Sequence, residues 1–229
     1  MQLFTVKAVP AVFWSSSHPL NFRPRLHTFM MLCAGLLLFG VGEALLIASG
    51  AGVSPWVVFS QGIANISGWS IGGATFAVSL AVLLLWIPLK QRPGIGTIMN
   101  AILIASAMDL VLPYLPSPEL YVLRLLEIAA GILLVGIGSG IYLIANLGPG
   151  PRDGLMTGLQ RHSNLPIAWV RMAIEITVVV LGWLLGGVVG PGTLMFAIGV
   201  GWSVSLGLYV VARISNRLRM PVTQVSESD

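Results

Sequence analysis

The chain has 229 residues, of which 56% are hydrophobic and only 9% charged, against roughly 45–50% and about 25% in soluble globular domains. With a mean hydropathy of +0.91, most of its length has no water-facing surface to offer, which excludes a soluble domain and makes the lipid bilayer its solvent. The 12 basic residues exceed the 8 acidic ones, but they are scattered singly or in pairs between apolar runs, so the pattern excludes a nucleic-acid partner.

The single cysteine, Cys33, sits inside the first apolar run and reads as a small core hydrophobe, with no second thiol for redox or metal work. His18, His27 and His162 lack the spacing that places two ligands on one helical face, so neither a metal nor a cofactor is expected.

In chain order, residues 1–27 carry Lys7, Arg23 and Arg25 and are broken by Pro10, Pro19 and Pro24. They read as a flexible cytoplasmic tail, and no small-residue cleavage site follows the first apolar run, so that run stays as an anchor. Six runs approach the roughly 20 residues needed to cross a hydrocarbon core about 30 Å thick: 28–48, 69–89, 95–115, 120–146, 166–187 and 191–213. Two further apolar stretches, 54–66 and 150–162, are too short to span. Each opens with a small residue before a proline, Ser54-Pro55 and Gly150-Pro151, as helix starts do. They read as half-helices, and the sequence leaves open whether they dip into the membrane or lie in its interface. The expected fold is all-α: a polytopic membrane protein of six transmembrane helices and two half-helices, with residues 214–229 a second cytoplasmic tail.

Charge placement fits that count, because cytoplasmic loops collect Lys and Arg. With the N-terminus inside, the inner segments hold Lys7, Arg23, Arg25, Lys90, Arg92, Arg152, Arg161, Arg213, Arg217 and Arg219, ten of the twelve basic residues. The outer segments 49–68, 114–119 and 187–191 hold none, and Glu119 is their one charge.

Sliding the chain against itself by 96 residues places 35–110 on 131–206 without a gap. Glycines coincide at Gly35/Gly131, Gly40/Gly136, Gly42/Gly138, Gly52/Gly148 and Gly62/Gly158, and Pro55 falls on Pro151. Apolar composition alone does not align Gly and Pro punctuation, so the chain reads as a duplication. Each copy, 28–119 and 120–213, holds three spans and a half-helix, and an odd number of crossings makes the repeats inverted. Inverted repeats with short Gly/Pro-interrupted helices at matching positions point to a transporter's binding site.

Ionisable residues inside spans are functional candidates, since an isolated charge there costs about 2.5–3.5 kcal/mol or more. Arg171 with Glu175 and Arg124 with Glu127 are spaced to pair on their own helices. Glu43 and Asp109 have no such neighbour and are the proton-coupling candidates. Arg152 and Asp153, at the start of the second half-helix, suit an anionic or zwitterionic solute, with Ser54, Trp56 and Gln61 from the first half-helix opposite them. The bland alternative is an Arg152–Asp153 pair ordering a cytoplasmic loop. Gly136-x-x-x-Gly140 and Gly182-x-x-x-Gly186 read as helix packing, Thr97 and Thr193 as caps, and Trp56, Trp69, Trp86, Trp169 and Trp183 as an interfacial belt. No nucleophile, base and orienting group stand together, so no enzyme is expected.

Val53-Ser54-Pro55-Trp56, Gln91-Arg92-Pro93-Gly94-Ile95-Gly96-Thr97 and Gly148-Pro149-Gly150-Pro151-Arg152-Asp153-Gly154-Leu155-Met156 resemble the YczE/YyaS/YitT group of bacterial integral membrane proteins, its YczE-like branch in particular. The resemblance covers about 30–212 and implies a bacterial cytoplasmic membrane location, without an established substrate. The group's first half-helix often reads Pro-Trp-Asp, whereas Val57 follows Trp56 here, leaving Asp153 as the one half-helix acid. The leading expectation is a small-solute transporter or permease-like protein with its site between the repeats. The alternative is a membrane scaffold or accessory protein acting through a protein partner or a second copy.

Overall fold

The computed structural model describes residues 9–218. Eight α-helices carry the fold: α1 (Leu26–Ala48), α2 (Pro55–Ser67), α3 (Ile71–Leu85), α4 (Ile95–Val111), α5 (Tyr121–Ala145), α6 (Pro151–Ser163), α7 (Ile167–Leu184) and α8 (Pro191–Leu218). A 3-10 turn, Leu112–Tyr114, extends α4. The all-α polytopic membrane fold follows: α1, α4 with its turn, α5, α7 and α8 are each long and apolar enough to cross a bilayer.

The expected span 69–89 is shorter than the sequence suggested. Its helix, α3, has 15 residues, about 22 Å at 1.5 Å per residue. A sixth span exists only if α2 and α3, which meet at 112°, are counted as one bent element. The break has a local cause: Gly68 closes α2 in the left-handed conformation at φ 73, and Ser70 restarts the chain by accepting the Gly73 N–H.

The core is built on α1 and α5, with α4 packed on α1 and α8 on α5. Their central crossing is made by glycines. A Cβ on Gly42 would stand 2.7 Å from the Gly131 carbonyl oxygen, and one on Gly131 2.7 Å from that of Gly42. Gly35 and Gly138 face each other in the same way. Because 35 lies opposite 138 and 42 opposite 131, the two helices run antiparallel. Such close backbone approach is how helices associate in lipid, where no hydrophobic force separates them from the solvent.

The spacing of 96 residues recurs throughout the backbone. Helices α2 and α6, α3 and α7, and α4 and α8 begin 96 residues apart. All eight positive-φ residues among those described form pairs at the same spacing: Gly50/Asn146, Gly52/Gly148, Gly68/Asn164 and Lys90/Gly186. Contacts between the halves are reciprocal too. The Gly96 N–H donates to the Leu147 carbonyl at 2.8 Å, and the Gly192 N–H to the Ala51 carbonyl at 2.8 Å.

Several local expectations meet specific outcomes. Thr97 and Thr193 act at helix starts, accepting the Gly94 and Gly190 N–H groups. Trp56 and Trp86 do not belong to a belt: both are buried. Trp69, Trp169 and Trp183 are exposed. The N-terminal segment is not a loose tail over its described part. The Trp14 indole donates to Ser215 Oγ at 2.9 Å, its carbonyl accepts from Thr28, and the Ser16 N–H donates to the Ala145 carbonyl. At the other end α8 continues to Leu218, past the expected boundary at 213. Lys7 and Arg219, used in the charge argument, lie outside the described residues.

Candidate functional site

Ser54 and Gly150 precede α2 and α6 in extended conformation, and Pro55 and Pro151 occupy the first helical positions. A proline there sacrifices no hydrogen bond, while its ring fixes the entry angle. Both helices start in the buried interior and end at exposed residues. Ser54, Pro55, Trp56, Val57 and Val58 are buried, whereas Ile66 is 68% exposed. In α6, Pro151 and Gly154 are buried, Arg152 is half-buried and Asp153 open to the cavity side, and Arg161–Ser163 are all exposed. A helix lying flat on a surface exposes one face along its whole length; these two instead point their N-termini inward.

Between those N-termini lies a cavity of about 250 Å³ lined by Glu43, Ser54, Trp56, Tyr142, Arg152 and Asp153, among others. Trp56 and Arg152 are 96 positions apart and therefore equivalent, and they meet: the guanidinium carbon lies 5.2 Å from the centroid of the indole ring. When shielded from water a cation–π contact of this kind contributes about 2 kcal/mol or more. Glu43 and Ser139 are likewise equivalent, as are Asn100 and Phe196, and all four line the cavity. Equivalent positions thus carry unlike chemistry on its two sides.

The polar groups divide into satisfied and unsatisfied sets. Both Glu43 carboxylate oxygens lie within hydrogen-bond distance of Ser54 Oγ, at 2.9 and 2.8 Å, so the Ser54 hydroxyl ties α1 to the start of α2. The Tyr142 hydroxyl donates to Asp153 Oδ2 at 2.7 Å, tying α5 to α6. Arg152 stacks on Trp56 and forms no ion pair within 4.0 Å, among the described residues. The Trp56 indole Nε1–H is buried with no acceptor, and an unpaired buried donor costs about 1–3 kcal/mol. The site therefore holds one unsatisfied N–H donor, that of Trp56, beside a guanidinium whose counter-charges, Glu43 and Asp153, line the same cavity without direct contact.

A buried tryptophan positions α6. Trp86, at the end of α3, donates its Nε1–H to the Pro151 carbonyl at 2.9 Å. Its ring fills the space beside Gly154, where a Cβ would come within 1.9 Å of it. Sequence reasoning missed both Trp86 and Tyr142. An aromatic near a predicted span end looks like an interfacial residue, and only the return of α6 into the interior gives these two a partner.

Of the expected site residues, Arg152, Asp153, Ser54, Trp56 and Glu43 share the cavity, while Gln61 and Asp109 do not reach it. Gln61 Oε1 accepts the Val188 N–H at 3.0 Å, joining α2 to the loop between α7 and α8. Asp109 caps α3 from α4: Oδ2 accepts from Ser70 Oγ at 2.6 Å and Oδ1 from the Gly72 N–H at 2.8 Å. The Arg171–Glu175 pair forms at 2.8 Å. The Arg124–Glu127 pair does not, because Arg124 donates to the Pro118 carbonyl instead and leaves Glu127 Oε2 without a partner. No group of three His, Cys, Asp or Glu side chains is placed to hold a metal among the described residues.

The two halves differ at their outer helices. In the first, α3 lies along α4; in the second, α7 stands away from α8. The opening between α7 and α8 is a largely apolar gap of about 580 Å³. Arg171 and Glu175 line both this gap and the central cavity.

Residues 26–207 match the family model described as "Family of unknown function (DUF6198)". An uncharacterized protein of Haemophilus influenzae is 41% identical over 209 residues, covering 91% of this chain and 95% of the relative. The membrane protein YczE of Bacillus subtilis is 32% identical over 191 residues, covering 79% of this chain and 88% of the relative. The Bacillus subtilis protein YyaS is 26% identical over 172 residues, covering 73% and 85%. No solved structure matches. Matched over most of its length by the family model and by these relatives, the chain belongs to the DUF6198 family and is a membrane protein of the YczE type.

Proposed function

We propose that this protein is a non-enzymatic, permease-like transporter of a small solute bearing an anionic group, held between two inverted repeats, 28–119 and 120–213. The observation that carries the reading is the unpartnered Trp56 N–H beside the Arg152 guanidinium in a cavity where two half-helix N-termini converge. Backbone N–H groups at helix starts favour anions, and charge inside a membrane-spanning core is costly enough to imply use. The antiparallel α1–α5 crossing and the 96-residue spacing of helix starts support the inverted arrangement. The basic residues favour a bacterial cytoplasmic membrane orientation with both termini inside.

Glu43 is the acid proposed to couple transport to protons, since it alone of the two sequence candidates lines the cavity. Thermal unfolding of the purified protein with acetate, inorganic phosphate, short dicarboxylates and zwitterionic amino acids tests the binding reading. A ligand at 100 times its dissociation constant stabilises by about 2.7 kcal/mol. At least one class is expected to stabilise the wild type and not Arg152→Ala. No response from any class, together with co-purification of another protein, would instead favour the accessory role.

A further inference from the structure

The wall of the central cavity carries both signs of charge, from two different sources. Its side chains are net negative, because Glu43, Asp153 and Glu175 line it with Arg152 and Arg171. Arg171 and Glu175 pair with each other at 2.8 Å, which leaves two carboxylates, Glu43 and Asp153, to the one guanidinium of Arg152. Glu43 is 1% exposed, and its two carboxylate oxygens share a single donor, the Ser54 hydroxyl. A carboxylate accepts about four hydrogen bonds, so most of its capacity is unused. The backbone supplies the opposite sign. Neither α2 nor α6 has a side-chain cap at its start, and each uncapped start presents about half a positive charge and N–H groups with no acceptor in their own helix. Trp56, in the first turn of α2, is 6% exposed and its indole N–H has no acceptor.

We infer that the site takes a small zwitterion, its carboxylate at the uncapped starts of α2 and α6 beside the Trp56 N–H, and its ammonium against Glu43 and Asp153. This rests on the solute-binding reading and names the class of solute. A simple anion would add to a side-chain charge that is already negative, and a simple cation would leave the Trp56 N–H without an acceptor. A molecule carrying both groups meets both needs and brings no net charge into the membrane interior, where charge is costly. The cavity also limits the frame that joins the two groups. Its volume of about 250 Å³ falls below the roughly 300–1,000 Å³ of sites for drug-sized ligands. Phe39, Ile104, Val135 and Phe196 complete the wall, so the frame is small and apolar, as in an aliphatic amino acid.

The full chain in detergent is titrated with leucine and with the two compounds that each lack one of its charges, 4-methylpentanoate and 3-methylbutylamine, and thermal unfolding reads the affinity. Alanine, propanoate and ethylamine repeat the comparison at smaller size. Leucine or alanine is expected to bind about tenfold or more tightly than either of its one-charge analogues, as follows when a hydrogen bond to a charged group is lost. Glu43→Gln still accepts the Ser54 hydroxyl but removes the ammonium's partner, so it weakens the amino acid by about tenfold and does not weaken the acid. Trp56→Phe keeps a ring under Arg152 and removes the N–H, so it weakens the amino acid and the acid and leaves the amine unchanged. A variant that merely folds poorly moves all three ligands together, which separates it from these outcomes. An acid that binds as tightly as its amino acid overturns the inference, and if Arg152→Ala abolishes that binding the anionic-solute reading stands without it. An amine that binds as tightly as its amino acid overturns both. No response from any of these compounds also overturns the inference, and the solute-binding reading falls with it if phosphate and dicarboxylates are equally without effect.

Discussion

Helices α3 and α4 are closed against each other, while their equivalents α7 and α8 stand apart, and the difference traces to a few substitutions. In the first half Gly72 lets the backbones meet: a Cβ there would stand 2.3 Å from the Ala105 carbonyl oxygen. Asp109 then clasps the start of α3 through Ser70 and the Gly72 N–H. At the equivalent positions of the second half stand Ala168, Gly201, Ser205 and Pro166. Proline has no hydroxyl to offer as a cap, Ser205 turns back to the Gly201 carbonyl, and Gly201 has nothing within 4 Å of where its Cβ would be. Duplication supplies a common backbone, and the side chains decide which half seals and which opens.

The largest effect on that contrast is expected from added volume on the closed side. Gly72→Leu should destabilise by about 1–3 kcal/mol or more, the range for overpacking. Gly201→Leu should stay within about 0.5 kcal/mol, as substitutions at open positions do. Thermal unfolding in detergent checks both, and equal losses would mean that the α7–α8 gap is closed. Next comes Asp109→Ala, which removes a helix cap worth about 0.5–2 kcal/mol. Ser205→Ala serves as its near-silent counterpart. The smallest effect belongs to the paired change Arg171→Thr with Glu175→Ser, which installs the residues found at 75 and 79. Both charges leave together, so no isolated charge remains in the span, and the loss expected is about 0.6 kcal/mol, as for polar contacts between membrane helices. A large stability loss on this change would show the pair bracing the gap.

Much of the architecture could be read from the chain because it depends on punctuation. Ser54-Pro55 and Gly150-Pro151 mark two helix starts by local chemistry alone, and the observed helices begin at Pro55 and Pro151. Composition likewise reveals lipid as the solvent. Apolar content alone draws span 69–89 too long: Pro88 has no N–H and disfavours helix at the residue before it. The helix ends at Leu85, and the Trp86 indole that follows is held by the Pro151 carbonyl, 65 residues away in sequence. In the candidate site, Arg152, Asp153, Ser54 and Trp56 could be found because they sit at helix starts. Tyr142 could not, since nothing in its own helix distinguishes it from a packing aromatic. Gln61 looked like a ligand and Asp109 like a proton-coupling acid because each is a polar residue in an apolar run. Backbone groups of α3 and of the α7–α8 loop claim them instead.

The claim that one half is open to the bilayer can be tested by distances across matched helix pairs. Nitroxides at Leu80 and Ile98, on α3 and α4, and at their equivalents Ile176 and Leu194, on α7 and α8, all occupy exposed positions. Pulsed dipolar spectroscopy in lipid should find the 176–194 separation longer and more broadly distributed than the 80–98 separation. Two equal, narrow distributions would contradict the account, because α7 and α8 would then be sealed like their counterparts.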